Sequence, residues 1–264
     1  MNGLENLILE YVASYLWPFV RTASMIGTMF VLGSSLMPGQ IRLVLSIALA
    51  WAIAPLVPPA DPSIDMFSIS GIITTVNQII IGVTIGYCTE LISQCFIMAG
   101  QVIAMQTGLG FASVMDPVNG SQTPVVGQFF TMLCGLVFFG IDGHLVFIDL
   151  LRKSFYTVPV GLEFVTQDTW KNLFSFLGVM FQTAVNFSIA SICTMLIINF
   201  TFGVMTRAAP QLNIFSMGFA ISLILGIFVL WVTVGNFMSF FIYQFDRTVD
   251  LICSAIGYEC RGGL

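Results

Sequence analysis

Long apolar runs, separated by short clusters of glycine, proline or charged residues, recur along the whole chain. They cover residues 12–37, 41–59, 71–93, 95–114, 125–151, 173–205 and 214–245. Each is about as long as a helix must be to cross ~30 Å of hydrocarbon, so seven spans are predicted. A β-barrel would show short alternating segments, whereas these runs are continuous. The expected fold class is therefore an all-α integral membrane protein, a single helical domain over residues 1–264 built of multi-span helical hairpins. Met1 to Val12 carries Glu5 and Glu10 and no Lys or Arg. It lacks the basic start of a cleaved signal peptide, so the first span is expected to stay in the mature chain.

Within the runs lie polar residues that lipid penalises: Arg21, Asn77, Gln78, Glu90, Gln94, Gln101, Gln106, Gln182, Asn186, Asn199 and Asn236. Such side chains face protein or water. At 100° per residue Glu90, Gln94 and Gln101 fall within about 40° of one another, provided the helix is continuous there. That polar face either bonds neighbouring helices together or meets a conduit or other subunits. Gly82-Val-Thr-Ile-Gly86 has the small-xxx-small spacing that allows two helices to approach closely.

One interruption stands out, "GLGFASVMDPVNGSQTP" from Gly108 to Pro124. Gly108 and Gly110 loosen a helix end, Asp116-Pro117 stops it, and Asn119-Gly120 offers a turn. Non-helical backbone at membrane depth must be buried in protein or line an aqueous cavity. The apolar Phe111, Val114 and Met115 suit a plug or constriction in a broken helix, and a plain surface loop is the other reading.

Composition agrees with the pattern, with 57% of residues apolar and 8% charged and a mean hydropathy of +0.97. The net charge of −5 contains no basic cluster to track nucleic acid or anionic lipid. Counting seven spans puts Arg42, the Arg152/Lys153/Lys171 group and Arg247/Arg261 on one side, the cytoplasmic one, and Arg207 on the other. Cys88, Cys95, Cys134, Cys193, Cys253 and Cys260 show no pairing pattern and read as buried small hydrophobes. With one His, and without Gly-x-Ser-x-Gly, His-Glu-x-x-His or a phosphate-cradling glycine loop, the chain offers little for catalysis. The expectation is a protein that is not an enzyme, with no catalytic residue, metal or cofactor. His144, near Asp142 and Asp149, reads as a structural group at a span boundary or as part of a proton relay.

Four ordered blocks carry a resemblance along nearly the whole chain: "WPFVRTASMIGTMFVLGSSLMPGQIRLVLSIALAWAIAPLVP" near the start, "GQVIAMQTGLGFASVMDPVNG" at 100–120, "DGHL" at 142–145 with "SFYTVPVG" at 154–161, and "TRAAPQLNIFSMGF" at 206–219. Together they resemble the FliR family, the single-copy subunit of the flagellar type III export gate. Arg21, Pro38, Arg42 and Pro55 stand at that family's marked positions. Thr28-Met29 departs from it, since many members carry Ala-Pro there. The resemblance implies a fold like a fusion of the other two export-gate pore subunits. It also implies assembly with FliP and FliQ, with FlhB around the entrance, in the bacterial inner membrane at the flagellar basal body. The substrates would be unfolded flagellar subunits, and Gly108, Leu109, Gly110, Phe111 and Ala112 would start a loop that plugs the closed channel. The polar positions Glu90, Gln94 and Gln101 would then face subunits or the channel. Arg207, Gln211 and Asn213, around Pro210, would form a helix break with polar contacts to neighbours. A related family of virulence-type injectisomes shares the Arg207-to-Phe215 block, while "GLGFA" and "SMGF" favour the flagellar branch. A stand-alone secondary transporter is the alternative from another class, and it should show an inverted repeat, which this sequence does not.

Overall fold

The computed structural model describes residues 2–34, 37–59, 64, 68–110, 125–161, 167–208 and 214–258. Among these, eight α-helices follow one another. They are α1 (Asn2–Thr28), α2 (Gly39–Ile53, continued by a 3₁₀ turn at Ala54–Leu56), α3 (Ile69–Thr107), α4 (Val125–Gly140), α5 (Gly143–Thr157), α6 (Gln167–Ala208), α7 (Ile214–Gly235) and α8 (Phe237–Ala255). The all-helical expectation holds. Four stretches are long and apolar enough to cross a membrane, Gly39–Leu56, Ile69–Thr107, Phe174–Met205 and Gly218–Gly235. A fifth is added if the bent pair α4 and α5 is one span.

The difference from seven spans has identifiable causes. The runs 71–93 and 95–114 are a single 39-residue helix, α3. Gln94 divides them in hydropathy, but a straight-chain amide continues a helix, and neither Gly nor Pro stands at 93–95 to break it. At 1.5 Å per residue α3 is about 58 Å long and the 42-residue α6 about 63 Å. Each is roughly twice the ~30 Å thickness of the hydrocarbon, so part of each lies outside it unless strongly tilted. The run 12–37 ends as a helix at Thr28, followed by a turn in which Val31 takes a left-handed φ of 67°. The Arg42 guanidinium holds this turn by donating from Nη1 to the Gly33 carbonyl (3.0 Å) and from Nη2 to the Met37 carbonyl (2.9 Å). The span expected at 125–151 breaks at Asp142, a non-glycine residue at φ 55°. The span expected at 214–245 breaks at Asn236, between α7 and α8.

The chain forms two compact units. The first comprises residues 1–91, 138–176 and 246–264. Its centre is Arg21, fully buried on α1. Nε donates to Gln78 Oε1 on α3 (2.7 Å), Nη1 to Ser154 Oγ on α5 (3.0 Å) and Nη2 to the Val158 carbonyl (3.0 Å). The guanidinium carbon also sits 3.9 Å from the centre of the Phe155 ring, a cation–π contact. Backbones come close enough for this because Gly82 and Gly86 of α3 have no side chain. A Cβ at Gly82 would collide with Ser24 Oγ and the Arg21 carbonyl, and one at Gly86 with Thr28 Oγ1 and the Met25 carbonyl. The small-xxx-small spacing is thus a real helix contact. Just past α1, the Phe30 N–H donates to Thr89 Oγ1 on α3 (2.8 Å).

The second unit comprises residues 92–137 and 177–245. Its core is a set of phenylalanines, with Phe96 edge-on to Phe187 (5.3 Å) and Phe130 edge-on to Phe187 (5.4 Å). Phe237 lies 4.8 Å from Phe96. Buried hydroxyls and amides are paired here across helices, Thr183 Oγ1 donating to Gln244 Oε1 (2.9 Å) and Ser191 meeting Thr233 (3.1 Å). Gly100 of α3 faces Gly127 of α4, since a Cβ at Gly100 would lie 3.1 Å from the Gly127 Cα. Two cysteines depart from the expectation of unpaired, buried small hydrophobes: Cys88, Cys95 and Cys134 are free and buried, whereas Cys193 is free but exposed and Cys253 is disulfide-bonded.

Three substitutions test this packing. Gly82→Val should force α1 from α3 and lower stability by about 1–3 kcal/mol or more, read as a lower thermal midpoint of the purified chain with its assembly partners. Arg21→Lys should cost about 1–3 kcal/mol, because an ammonium cannot reach three acceptors with the guanidinium's planar fork. Arg21→Met, which leaves Gln78, Ser154 and the Val158 carbonyl without their donor, should cost more than Arg21→Lys in the same measurement.

Candidate functional site

The interruption begins where α3 ends. Thr107 is the last helical residue, and Gly108 follows at φ +80°, the left-handed conformation that closes helices and that glycine adopts without penalty. The Gly110 N–H then donates to the Ala104 carbonyl (2.9 Å), folding the chain back over the last helical turn. The helix therefore stops seven residues earlier than the run 95–114 implied, at the glycine and not at Asp116-Pro117. A left-handed residue ends the i to i−4 ladder even when the residues after it are apolar.

Two contacts from α7 hold this end. Gly226 of α7 lies so close to Thr107 that a Cβ there would strike the threonine side chain. Phe219 covers Gly108, its ring 3.2 Å from where a Cβ would be. Gly110 is buried, and a Cβ there would come within 2.9 Å of Met105 Sδ. Leu109 is half-buried. The root of the expected plug is thus a fixed turn. Sequence reasoning found the glycines of this turn but not the helix that covers them. Gly226, inside the apolar run of α7, was the available signal, too weak to single out among 24 glycines. Phe111, Ala112, Val114 and Met115 lie outside the described residues.

The second set of expected positions is on α3. Because that helix is continuous, Glu90, Gln94 and Gln101 do share one face, and all three are half-buried. The third set is at the end of α6, where Arg207 is exposed in the last helical turn. A cation there is favourably placed against the partial negative charge of the helix C-terminus. α6 ends at Ala208 and α7 begins at Ile214, and Pro210 between them lies outside the described residues. Gln211 and Asn213 lie outside the described residues.

Other polar residues of the predicted spans divide into two classes. Gln78 is fully buried as the partner of Arg21. Gln182, Asn186 and Asn199 of α6 are exposed, interleaved with exposed Phe181, Val185 and Phe200. Among the described residues no hydrogen bond links Asp142, His144 and Asp149 into the suggested relay. Asp149 is bonded instead to Arg152 (2.8 Å) and Lys153 (2.8 Å). The His144 ring lies 5.2 Å from Phe139, and its Nδ1 is buried with no hydrogen-bond partner among the described residues.

If the turn at Gly108 fixes the end of α3, Gly108→Val should strain a left-handed residue and press on Phe219 at once. A cost of about 1–2 kcal/mol for forcing a Cβ into that conformation is expected. Amides of residues 103–107 should then exchange faster with deuterium, while those of residues 72–90 keep their rates.

The sequence matches the family described as "Bacterial export proteins, family 1" over residues 12–248. It is 32% identical over 249 residues to the "Flagellar biosynthetic protein FliR" of Pectobacterium carotovorum subsp. carotovorum, covering 94% of this chain and 95% of that protein. It is 30% identical to the protein of that name from Escherichia coli (strain K12), covering 94% of each. For that of Bacillus subtilis (strain 168) the identity is 24%, covering 94% of this chain and 98% of the relative. Matched nearly end to end, with helices apolar enough to cross a membrane, this chain belongs to the FliR family of bacterial export proteins, as a membrane component of the flagellar export apparatus.

Proposed function

We propose that this chain is a non-enzymatic pore subunit of the bacterial flagellar type III export gate, which helps to form and to plug the channel through which unfolded flagellar subunits leave the cell. It sits in the inner membrane at the basal body, assembled with FliP and FliQ and with FlhB at the entrance. The observation that carries this reading is the similarity to proteins named FliR over about 94% of the chain, with no large region left over for a separate activity.

Physical features of the chain support it. Exposed faces of α6 mix Gln182, Asn186 and Asn199 with large apolar residues. Lipid disfavours that mixture and a protein neighbour accommodates it, by burying the apolar groups and bonding the amides. The half-buried face of Glu90, Gln94 and Gln101 and the exposed Arg207 are further positions for contact with subunits or channel. The segment from Gly108 to Met115 acts as the plug. Its root is held by α7, and its apolar side chains close the path by excluding water. Because few directional bonds hold such a constriction, an unfolded chain can displace it.

Removing bulk from the plug should open a leak. In cells carrying the complete gate, deletion of Ala112 to Val118 should raise permeability to small ions or solutes. Phe111→Ala should raise it less, because Val114 and Met115 refill part of the gap. Conductance or solute uptake reads the effect, with assembly checked separately by the mass of the intact complex. Wild-type permeability in an assembled deletion variant would make this stretch an ordinary loop.

A further inference from the structure

Around Arg21 the first unit gathers more hydrogen-bond donors than its own acceptors use. A guanidinium presents five N–H groups in a planar fork. Three are spent on Gln78 Oε1, Ser154 Oγ and the Val158 carbonyl, so two remain on a side chain that is fully buried. The other end of the Gln78 amide, Nε2, is buried with no hydrogen-bond partner among the described residues, and so are Trp17 Nε1 and Thr157 Oγ1. Trp17 and Gln78 are 1% and 0% exposed, so water outside the protein does not reach them.

These groups belong to the elements that converge on the guanidinium. Gln78 Nε2 shares one planar amide with the oxygen that accepts from Arg21 Nε. Trp17 stands one turn before Arg21 on α1, and a long helical side chain leans back over the turn N-terminal to it, which carries the guanidinium toward the indole. Thr157 adjoins Val158, whose carbonyl accepts from Nη2. The charge is also unbalanced. Among the described residues the ion pairs are those of Asp149 with Arg152 and Lys153, and neither includes Arg21. A buried cation with N–H groups to spare is costly until both its charge and its donors are met. A water molecule would accept from these donors but must itself find acceptors. Those at hand, Gln78 Oε1, Ser154 Oγ and the Val158 carbonyl, already serve the guanidinium. A small anion accepts from every donor and cancels the charge.

We propose that Arg21, Gln78 Nε2, Trp17 Nε1 and Thr157 Oγ1 form a binding site for one small inorganic anion of halide size, chloride being the abundant example. The ion accepts from the guanidinium, the amide, the indole and the hydroxyl, and so joins α1, α3 and the end of α5 around the buried charge. It is a structural ligand of the first unit, independent of the export reading. Because the ion binds the folded arrangement and not the unfolded chain, its concentration adds to stability.

The full chain, purified with its assembly partners, is tested by thermal unfolding while sodium chloride replaces sodium gluconate at constant ionic strength, which holds screening fixed. The midpoint should rise by a few degrees and saturate, and bromide should act in the same way. A midpoint indifferent to the anion overturns the proposal, and a water molecule or a carboxylate of another segment in this place would give that result. Two variants locate the effect. Gln78→Glu keeps an oxygen for Arg21 Nε and supplies the negative charge from the chain itself. Its midpoint in gluconate should exceed that of the wild type, and chloride should no longer raise it. Trp17→Phe removes one donor and should raise the half-saturating chloride concentration roughly tenfold, the effect of losing one hydrogen bond to a charged group. A wild-type chloride response in either variant places the ion elsewhere and overturns the assignment. Should Gln78→Glu fail to assemble, Trp17→Phe decides alone, since a merely structural loss lowers the whole curve without moving its half-saturation.

Discussion

A buried cation organises the first unit. Among the described residues Arg21 has no carboxylate as a hydrogen-bond partner and instead spreads its charge over an amide oxygen, a hydroxyl and a backbone carbonyl, with an aromatic ring against its plane. Taking a guanidinium out of water is costly unless its N–H groups are bonded. Each acceptor must therefore be in place, and the acceptors come from α3, from α5 and from the residue just beyond α5. The fork of donors fixes the directions in which those elements can approach. Gly82 and Gly86 supply the close approach of α3 to α1 on which this geometry depends, so the glycine spacing and the arginine are parts of one arrangement.

The second unit has a different basis. Its core is held by edge-on and offset phenylalanine rings, which add specific geometry to the burial of apolar area, and by hydroxyl and amide pairs between helices. Around this core, large apolar side chains such as Phe200, Ile224, Phe228 and Trp231 are exposed on helices long and apolar enough to cross a membrane. Such a surface suits lipid or neighbouring subunits and not water. The exposed amides of α6 favour a protein neighbour along that helix. The same packing that builds this core presses α7 onto the end of α3, so the glycine turn at Gly108 is set by the fold as well as by its own residues.

How much of this was legible in the residues alone varied with the kind of signal. Apolar run length reports on solvent and not on backbone breaks, so it marked membrane helices well and counted them badly. Gln94 looked like a divider and is an ordinary interior residue of α3. Asp142, polar and inconspicuous in sequence, is a true break because it takes a left-handed conformation. The helix end at Gly108 was legible because glycine has a direct conformational meaning. Its contacts with Phe219 and Gly226 were not, since those residues lie more than a hundred positions away and carry no mark of their partner.

By itself, then, the sequence determined that the chain is helical and membrane-embedded, that a helix must end near Gly108, and that it is related to the FliR proteins. These conclusions rest on hydropathy, on glycine's freedom at positive φ and on ordered blocks of residues, all of which are local or directly comparable. Only the tertiary structure decided which polar residues of the spans are internal partners and which are left on the surface. Arg21 donates to the Gln78 Oε1 inside the packing, whereas Gln182 and Asn186 face outward. Gln78 and Gln182 are the same residue type in apolar helices of similar composition. What differs is whether another helix brings a complementary group within about 3 Å, and that is a property of packing between distant segments that no local pattern encodes.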